Sequence, residues 1–420
     1  MIKKTFALIA IILSLLATPL KADEDESTKT IFISDIHMCD YSSIVPPDKK
    51  YSCYGWFNKN SKLLTKFLEN VEKDRDVKNI VILGDLFDGW VCPYDEDPLH
   101  GAKNVDDMFI KMGSVDEQTN PINAPVIKGF QQLALDGRLI YVPGNHDMLL
   151  TEDTLQKIIP GIVYIEGTFQ GTGKYESEDG IIVAEHGHDY CLFNARDVFD
   201  IADDTQQSLP VGHFITRAAS YKAAHGGGII TTPEILQKKS LKILQTCSSN
   251  ASLKGINETV FKLILVYLKT IPLLDIGNKK LEAIIFVMKG LDNFKDINGV
   301  DVDKKYSNLF ENWPTTKVDA ATAVLSDMGA LSKAALKVYI DNKDDKHQIV
   351  VFGHTHAAEL IKKNGKIYAN SGTWIDRAKK CTYVETEKNT DGSYMVGVYE
   401  YTDKYPGKLL YSATIPAKSE

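Results

Sequence analysis

The sequence lacks several features that would place it in a common protein class. None of its six cysteines forms a Cys-X-X-Cys pair, which argues against a zinc site built from thiolates. It has no basic excess, because 56 acidic residues outnumber 48 lysines and arginines, and this argues against a nucleic-acid partner. No apolar run reaches the length of a membrane span, and internal repeats and low-complexity tracts are absent. What remains is an ordinary globular composition, 44% hydrophobic and 25% charged.

The N-terminal segment has the pattern of a secretory signal peptide. Two lysines precede an apolar run at 6–16, which is too short to cross a membrane comfortably. A plausible cleavage point follows Ala22, directly before an acidic stretch. We therefore expect residues 1–22 to be removed and the mature protein to be exported, to the periplasm or outside the cell. A retained N-terminal anchor is the alternative.

Export would place the cysteines in an oxidising compartment, where disulfides form. Cys39 and Cys53 flank a proline-containing loop and are the first candidates for a bridge. The alternative is that both remain thiols, because connectivity cannot be read from spacing.

Five apolar segments share one design, in which a predicted buried strand ends in Asp, Asn or His. Helical patterns at 61–73 and 125–136 separate the first three, and this alternation predicts an α/β fold. Open α/β sheets bind ligands beyond the carboxyl ends of their strands, so the polar residues should meet at one rim. In chain order these residues are Asp35 and His37, Asp85 and Asp88, Asn145, His146 and Asp147, His186 and His188, and His354 and His356.

The chemistry of these side chains indicates a metal centre. Carboxylates, imidazoles and one amide oxygen together suit Mn²⁺, Fe²⁺ or Zn²⁺. They are too many for one closed tetrahedral site, and two metals that share a bridging carboxylate account for them better. Each cluster alone has an ordinary explanation: Asp35 or Asp147 as a turn residue, Asp85 as a helix cap. Five clusters at five strand ends favour a shared site.

Taken together, the five clusters resemble the signature of the calcineurin-like metallophosphoesterases. Within that family, the segments 34–38, 84–90 and 368–374 are most similar to the UDP-2,3-diacylglucosamine diphosphatase-like branch. The resemblance spans residues 29–195 and 346–376 and implies a four-layer αββα sandwich. The motifs are Asp35-X-His37, Gly84-Asp85-X-X-Asp88, Gly144-Asn145-His146-Asp147, His186-Gly187-His188 and Gly353-His354-X-His356.

The resemblance implies two divalent metal ions, Mn²⁺, Fe²⁺ or Zn²⁺, and a hydroxide between them that attacks phosphorus. It also assigns ligands to each ion. The first metal would be held by Asp35, His37 and His356, the second by Asn145, His186 and His354, and both by the bridging Asp85.

The remaining polar residues receive other roles from the same resemblance. His146 would act at the substrate phosphate, by protonating the leaving oxygen or by stabilising the developing charge, and Asp88 would orient it. Asp147 is better explained as a cap on the following turn. His188 is a candidate for supporting the ligands without binding a metal. Gly89 stands where protein phosphatases have an arginine, which disfavours protein substrates and favours a diester or diphosphate.

The chain between the fourth and fifth clusters exceeds what a minimal catalytic domain needs. Its apolar helical patterns predict a cap with its own core, or a cap with an apolar groove for acyl chains. After Trp374, strand patterns should complete the second sheet of the sandwich. The expected division is a signal peptide at 1–22, a first catalytic part at 23–195, a helical cap at 196–345 and a second catalytic part at 346–420.

The function expected from these patterns is hydrolysis of a phosphodiester or diphosphate bond, in a lipid- or nucleotide-linked substrate, by an exported enzyme. The diphosphatase branch works in the cytoplasm, so an exported relative should have another substrate. The cap could contact a membrane peripherally. A nucleotide phosphohydrolase or phosphomonoesterase is one alternative. A non-catalytic, metal-stabilised binding protein is another, which would have no need of His146 and Asp88.

Overall fold

The computed structural model describes residues 28–41, 55–90, 102–167, 171–190, 194, 335–340 and 346–417. The expected signal peptide, nearly all of the expected cap, and Cys53 lie outside these ranges. The export, the cap and the Cys39–Cys53 bridge therefore stay predictions. Within the described ranges, no helix has both the length and the apolar character needed to cross a bilayer.

Strands and helices alternate in the first half of the described chain, and strands dominate the second half. The α-helices are α1 (Ser61–Lys73), α2 (Val105–Met112), α3 (Ala124–Leu135) and α4 (Glu152–Ile158). The strands are β1 (Thr28–Ile33), β2 (Val77–Leu83), β3 (Leu139–Val142), β4 (Val163–Tyr164), β5 (Tyr175–Glu176), β6 (Ile182–Glu185), β7 (Ile349–Phe352), β8 (Glu359–Lys363), β9 (Lys366–Asn370), β10 (Thr382–Lys388), β11 (Tyr394–Glu400) and β12 (Lys408–Ile415).

Helix α1 shows why the sequence folds this way locally. Its buried apolar residues Leu64, Phe67, Leu68 and Val71 recur at the spacing of one helix face, and that face packs into the core beneath the first sheet. Burying each such side chain contributes about 1.5–3 kcal/mol. The predicted helices at 61–73 and 125–136 are confirmed, the second to within one residue.

The first sheet has seven strands in the order β12-β11-β10-β1-β2-β3-β4. Strands β1 to β4 are parallel, whereas β10 pairs antiparallel with the other edge of β1. The prediction that the strands after Trp374 complete the second sheet is therefore wrong. They extend the first sheet, because the alternating pattern of a strand encodes which face is buried and not which edge accepts it.

The second sheet has five strands in the order β5-β6-β7-β9-β8, with β6, β7 and β9 parallel. The two sheets pack face to face through one apolar cluster, in which Phe32 and Val81 of the first sheet join Ile349 and Val351 of the second. A π-helical turn at Leu336–Ile340 shares a further cluster with Val350 on the outer face of the second sheet. The predicted α/β fold with two sheets is confirmed.

The parallel strands bring their carboxyl ends to one rim of the sandwich. There the backbone N–H of Gly353 donates to His186 O (3.1 Å) and so joins the ends of β6 and β7. The N–H of His354 donates to Asp35 Oδ2 (2.9 Å) and joins the second sheet to the first. These contacts bring the loops after β1, β6 and β7 together at this rim.

Candidate metal centre

Five site residues have unusual backbone conformations. A positive φ between 52° and 68° occurs at Asp35, His37, Asp85, His354 and His356. This left-handed region is unfavourable for residues other than glycine, and each such residue costs on the order of 1 kcal/mol. Strain at every one of these positions indicates that the loops are shaped to present the side chains.

Hydrogen bonds between neighbouring loops hold this strained backbone in place. The segments that follow β1 and β2 run side by side. The N–H groups of Ile36 and His37 both donate to Asp85 O at 2.9 Å, and Met38 N–H donates to Leu86 O at 3.0 Å. The loop after β3 approaches just as closely. A Cβ on Gly144 would lie 2.3 Å from Asp85 Oδ1, so only glycine fits there.

The first group of candidate ligands is Asp35, His37 and His356, whose ligand atoms lie within 4.8 Å of one another. His356 Nε2 is 3.1 Å from Asp35 Oδ1 and 3.1 Å from His37 Nε2. Asp35 Oδ1 is buried and, among the described residues, accepts no hydrogen bond. A buried carboxylate oxygen and two converging imidazole nitrogens are a donor set that fits a divalent cation.

The second group is Asp85, His186 and His354, also within 4.8 Å of one another. His186 Nδ1 donates to Leu83 O at 2.6 Å, which turns Nε2 toward the site. That Nε2 lies 3.0 Å from Asn145 Oδ1, so the amide oxygen joins this group as expected.

Asp85 lies between the two groups. Its Oδ2 atom is 3.5 Å from His37 Nε2 and 3.4 Å from His186 Nε2. Its Oδ1 atom accepts the backbone N–H of His146 at 2.8 Å, which fixes the carboxylate plane. This is the position that a bridging ligand requires.

Charges within the site compensate one another. Burial disfavours the charged form of Asp85, but the imidazoles of His186, His146 and His37 outweigh it and hold the pKa of this carboxyl well below its usual range. Burial also disfavours protonated His37 and His186, yet nearby carboxylates raise the pKa of His37 to about 10 and of His186 to about 9. A bound dication would take the place of those protons, because ligating imidazoles are neutral.

His146 stands at the edge of this arrangement. Its Nδ1 atom is 2.7 Å from Asp88 Oδ1, and the other oxygen of Asp88 is 3.4 Å from His37 Nδ1. This contact fits the predicted role of Asp88 in orienting His146. His37, Asp85 and His146 also form a third group with metal-ligand spacing, so the geometry leaves His146 a second role as a ligand.

Asp147 differs from its predicted role as a cap on the following turn. Its carboxylate instead accepts backbone N–H groups from two preceding loops, and burial together with Asp85 raises its pKa to about 6. It binds these loops together because the β2 and β3 strand ends are adjacent in the sheet. The donors are Asp85 (3.2 Å), Leu86 (2.7 Å), Phe87 (3.3 Å) and Gly144 (2.9 Å).

His188 is buried beside the second group. Its ring centroid lies 5.3 Å from that of His186 and 6.4 Å from that of His354. Burial lowers the pKa of His188 to about 4, so the ring is neutral at physiological pH. This position fits a residue that supports the ligands.

Sequence reasoning missed two aromatic residues at the site. Trp90 stacks on His146 with ring centroids 4.1 Å apart, and Trp56 lies 4.9 Å from the ring of His37. Trp90 belongs to a motif that the family resemblance had already singled out, so a signal for it existed. Trp56 follows a loop without periodicity, and nothing in its local sequence points to the site.

A comparison with models of protein families identifies the family of this chain. The calcineurin-like phosphoesterase model matches residues 28–246, just over half of the chain. The chain belongs to the calcineurin-like phosphoesterase family. It is therefore a metal-dependent hydrolase of phosphoesters, and its candidate ligand groups agree with the divalent metals that this family uses.

Comparisons with solved structures find proteins of low sequence identity. A predicted phosphoesterase from Streptococcus pneumoniae is 11% identical, with a TM-score of 0.26 over 93% of this chain and 98% of its own. A candidate 5′-nucleotidase from Staphylococcus aureus is 13% identical, with a TM-score of 0.29, and the match covers 94% of this chain and 55% of the nucleotidase. The phosphopantetheinyl hydrolase from Mycobacterium tuberculosis is 12% identical, with a TM-score of 0.24, and the match covers 83% of this chain and 90% of the hydrolase. No curated protein matches the chain significantly.

Proposed function

We propose that the protein is an exported phosphohydrolase that cleaves a phosphodiester or diphosphate bond with two divalent cations. The position of Asp85 carries this proposal. One carboxylate oxygen faces an imidazole of each ligand group, at 3.5 and 3.4 Å, as a ligand shared by two ions would. Asp35, His37 and His356 would hold one ion, and the second would be held by Asn145, His186 and His354.

The residues of the chain divide the remaining work. Bound cations would activate a water as nucleophile and withdraw charge from the phosphoryl oxygens. His146 keeps Nδ1 on Asp88 and so presents Nε2 to the leaving oxygen, to which it donates a proton. The stacked ring of Trp90 fixes the plane of this imidazole. No protein nucleophile is required.

The surroundings of Gly89 support a diester or diphosphate over a phosphoprotein. Protein phosphatases place an arginine at this position. Here a Cβ on Gly89 would lie 3.0 Å from His146 O and 3.1 Å from Cζ of Phe109. An arginine has no room unless these neighbours move, so recognition of the phosphate must come from other groups.

The export and the cap rest on the sequence, and one described segment supports the place of the cap. Within the expected insertion, Tyr339 donates a hydrogen bond to Glu185, which directly precedes the ligand His186. Lys174 Nζ donates to the hydroxyl of Tyr339 at 2.7 Å. The returning end of the insertion is thus attached to a strand that carries a candidate ligand.

Metal content and substrate range test the proposed function together. After incubation with Mn²⁺, Fe²⁺ or Zn²⁺ and dialysis, the purified protein should retain two ions per chain by elemental analysis. It should hydrolyse bis-p-nitrophenyl phosphate or a UDP-sugar faster than p-nitrophenyl phosphate, and a chelator should abolish both activities. Failure to take up metal would refute the site. Activity on the monoester alone would favour the phosphomonoesterase alternative.

A lipid-linked substrate makes a separate expectation for the cap. If its apolar helices form a groove, each buried methylene of an acyl chain should contribute about 0.8 kcal/mol to transition-state binding. The kcat/KM of a lipid-linked diphosphate, measured below its critical micelle concentration, should then far exceed that of its deacylated counterpart. Equal values would refute the groove and favour a nucleotide-linked substrate.

A further inference from the structure

Three aromatic rings surround His146 in the described part of the chain. Trp90 stacks on one face, with ring centroids 4.1 Å apart and planes inclined by 22°. His37 meets it edge-on at 4.5 Å, and Trp56 lies at 5.9 Å with the planes inclined by 44°. A leaving group that takes a proton from His146 must therefore approach between aromatic walls.

Only one of the two tryptophans can offer surface to a substrate. Trp90 is 2% exposed, so it supports His146 from behind. Trp56 is partly exposed. Its ring lies 4.9 Å from that of His37 and 5.9 Å from that of His356, so it covers the first ligand group as well as His146.

The position of Trp56 is fixed by a set of hydrogen bonds that join two loops. Asp376 N–H donates to Trp56 O at 2.8 Å. The carboxylate of Asp376 accepts the N–H groups of Asn58 and Asn60, both at 3.1 Å. The amide of Asn60 donates in turn to Trp374 O at 3.1 Å. The segment after the β9 strand thus holds Trp56 against the site, and the ring is preorganised for contact.

We propose that Trp56 forms the wall of a leaving-group subsite that selects substrates with a planar ring on the departing oxygen, such as an aryl or nucleoside group. The inference rests on the proposed function and on His146 as the proton donor. An indole face beside the departing group favours a flat partner through stacking, with a geometry that a small alkyl group cannot reproduce. If His146 protonates the leaving oxygen, the departing group lies beside the ring of His146, which is 5.9 Å from that of Trp56.

The experiment compares two methyl phosphodiesters, one with a phenyl leaving group and one with a small fluorinated alkyl group of comparable acidity. For Trp56→Ala, kcat/KM should fall about tenfold further on the phenyl ester than on the alkyl ester. Trp56→Phe should retain most of the wild-type preference for the phenyl ester over the alkyl ester. Binding of phenyl methylphosphonate to the metal-loaded protein, followed by calorimetry, should weaken in parallel for Trp56→Ala.

Controls separate this inference from the proposed function. Tyr411→Ala removes a half-exposed ring on the edge strand β12 and should leave kcat/KM for both esters unchanged. If Trp56→Ala lowers kcat/KM for both esters by the same factor, the ring has only a structural role. The inference then fails while the proposed function stands. If the wild-type protein hydrolyses neither diester with any metal, the proposed function fails first.

Discussion

Replacement of Asp85 by alanine is expected to abolish turnover and to lower the metal content of both sites. The carboxylate lies between the imidazoles of His37 and His186, with its Oδ2 atom 3.5 Å from the first and 3.4 Å from the second. Removing it takes one ligand from each ion and leaves the neighbouring imidazoles without their counter-charge. Elemental analysis after dialysis, together with diester hydrolysis, measures both effects.

Backbone strain requires a second variant at this position. Asp85 has a φ of 52°, where alanine is strained and asparagine is tolerated. Asp85→Asn should therefore fold like the wild type and still lose metal, because only the charge has been removed. Asp403→Asn, which neutralises an exposed carboxylate paired with Lys66, is the matched control. An Asp85→Asn protein that keeps two ions and full activity would show that Asp85 does not bridge.

The second large effect is expected from His146→Ala, which should lower kcat by about 10²-fold or more while both metals stay bound. Loss of a general acid or of an oxyanion contact typically has this size. Metal content should hold because the backbone N–H of residue 146, which the substitution preserves, is the group that donates to Asp85. The loss should be greatest for esters with poor leaving groups, which need the proton most.

The same variant decides between the two roles that the geometry allows His146. If His146→Ala loses one ion per chain, the third ligand group is the true one and His146 binds metal. Asp88→Asn provides a milder test, because it keeps the imidazole and removes only its orienting carboxylate. It should reduce kcat less than His146→Ala does and leave KM nearly unchanged.

The candidate site was largely predictable from the sequence because each ligand follows an apolar strand. Parallel strands carry their carboxyl ends to one rim, so the ends of β1, β2 and β3 could be placed together before any coordinates were known. The helices at 61–73 and 125–136 were predictable for a similar reason, since apolar periodicity reports the buried face. The family resemblance supplied the pairing of ligands into two groups, which spacing alone left open.

The predictions that failed concern choices that a local pattern does not encode. The alternation in β10 fixes its buried face, but its pairing with β1 depends on which sheet edge is available. Asp147 was expected to cap the following turn. It reaches the loop after β2 instead, because adjacent strands bring that loop's N–H groups within hydrogen-bond distance.

The sequence by itself determined the ligand chemistry, the α/β order and the strand ends at which Asp, Asn and His are placed, since periodicity and side-chain chemistry are local properties. The tertiary structure alone decided the rest. It placed Asp85 between two imidazoles, raised the pKa of His37 to about 10 by surrounding it with buried carboxylates, and set Trp56 against His146. Each of these depends on contacts between loops that are distant in the sequence and that meet only in the folded protein.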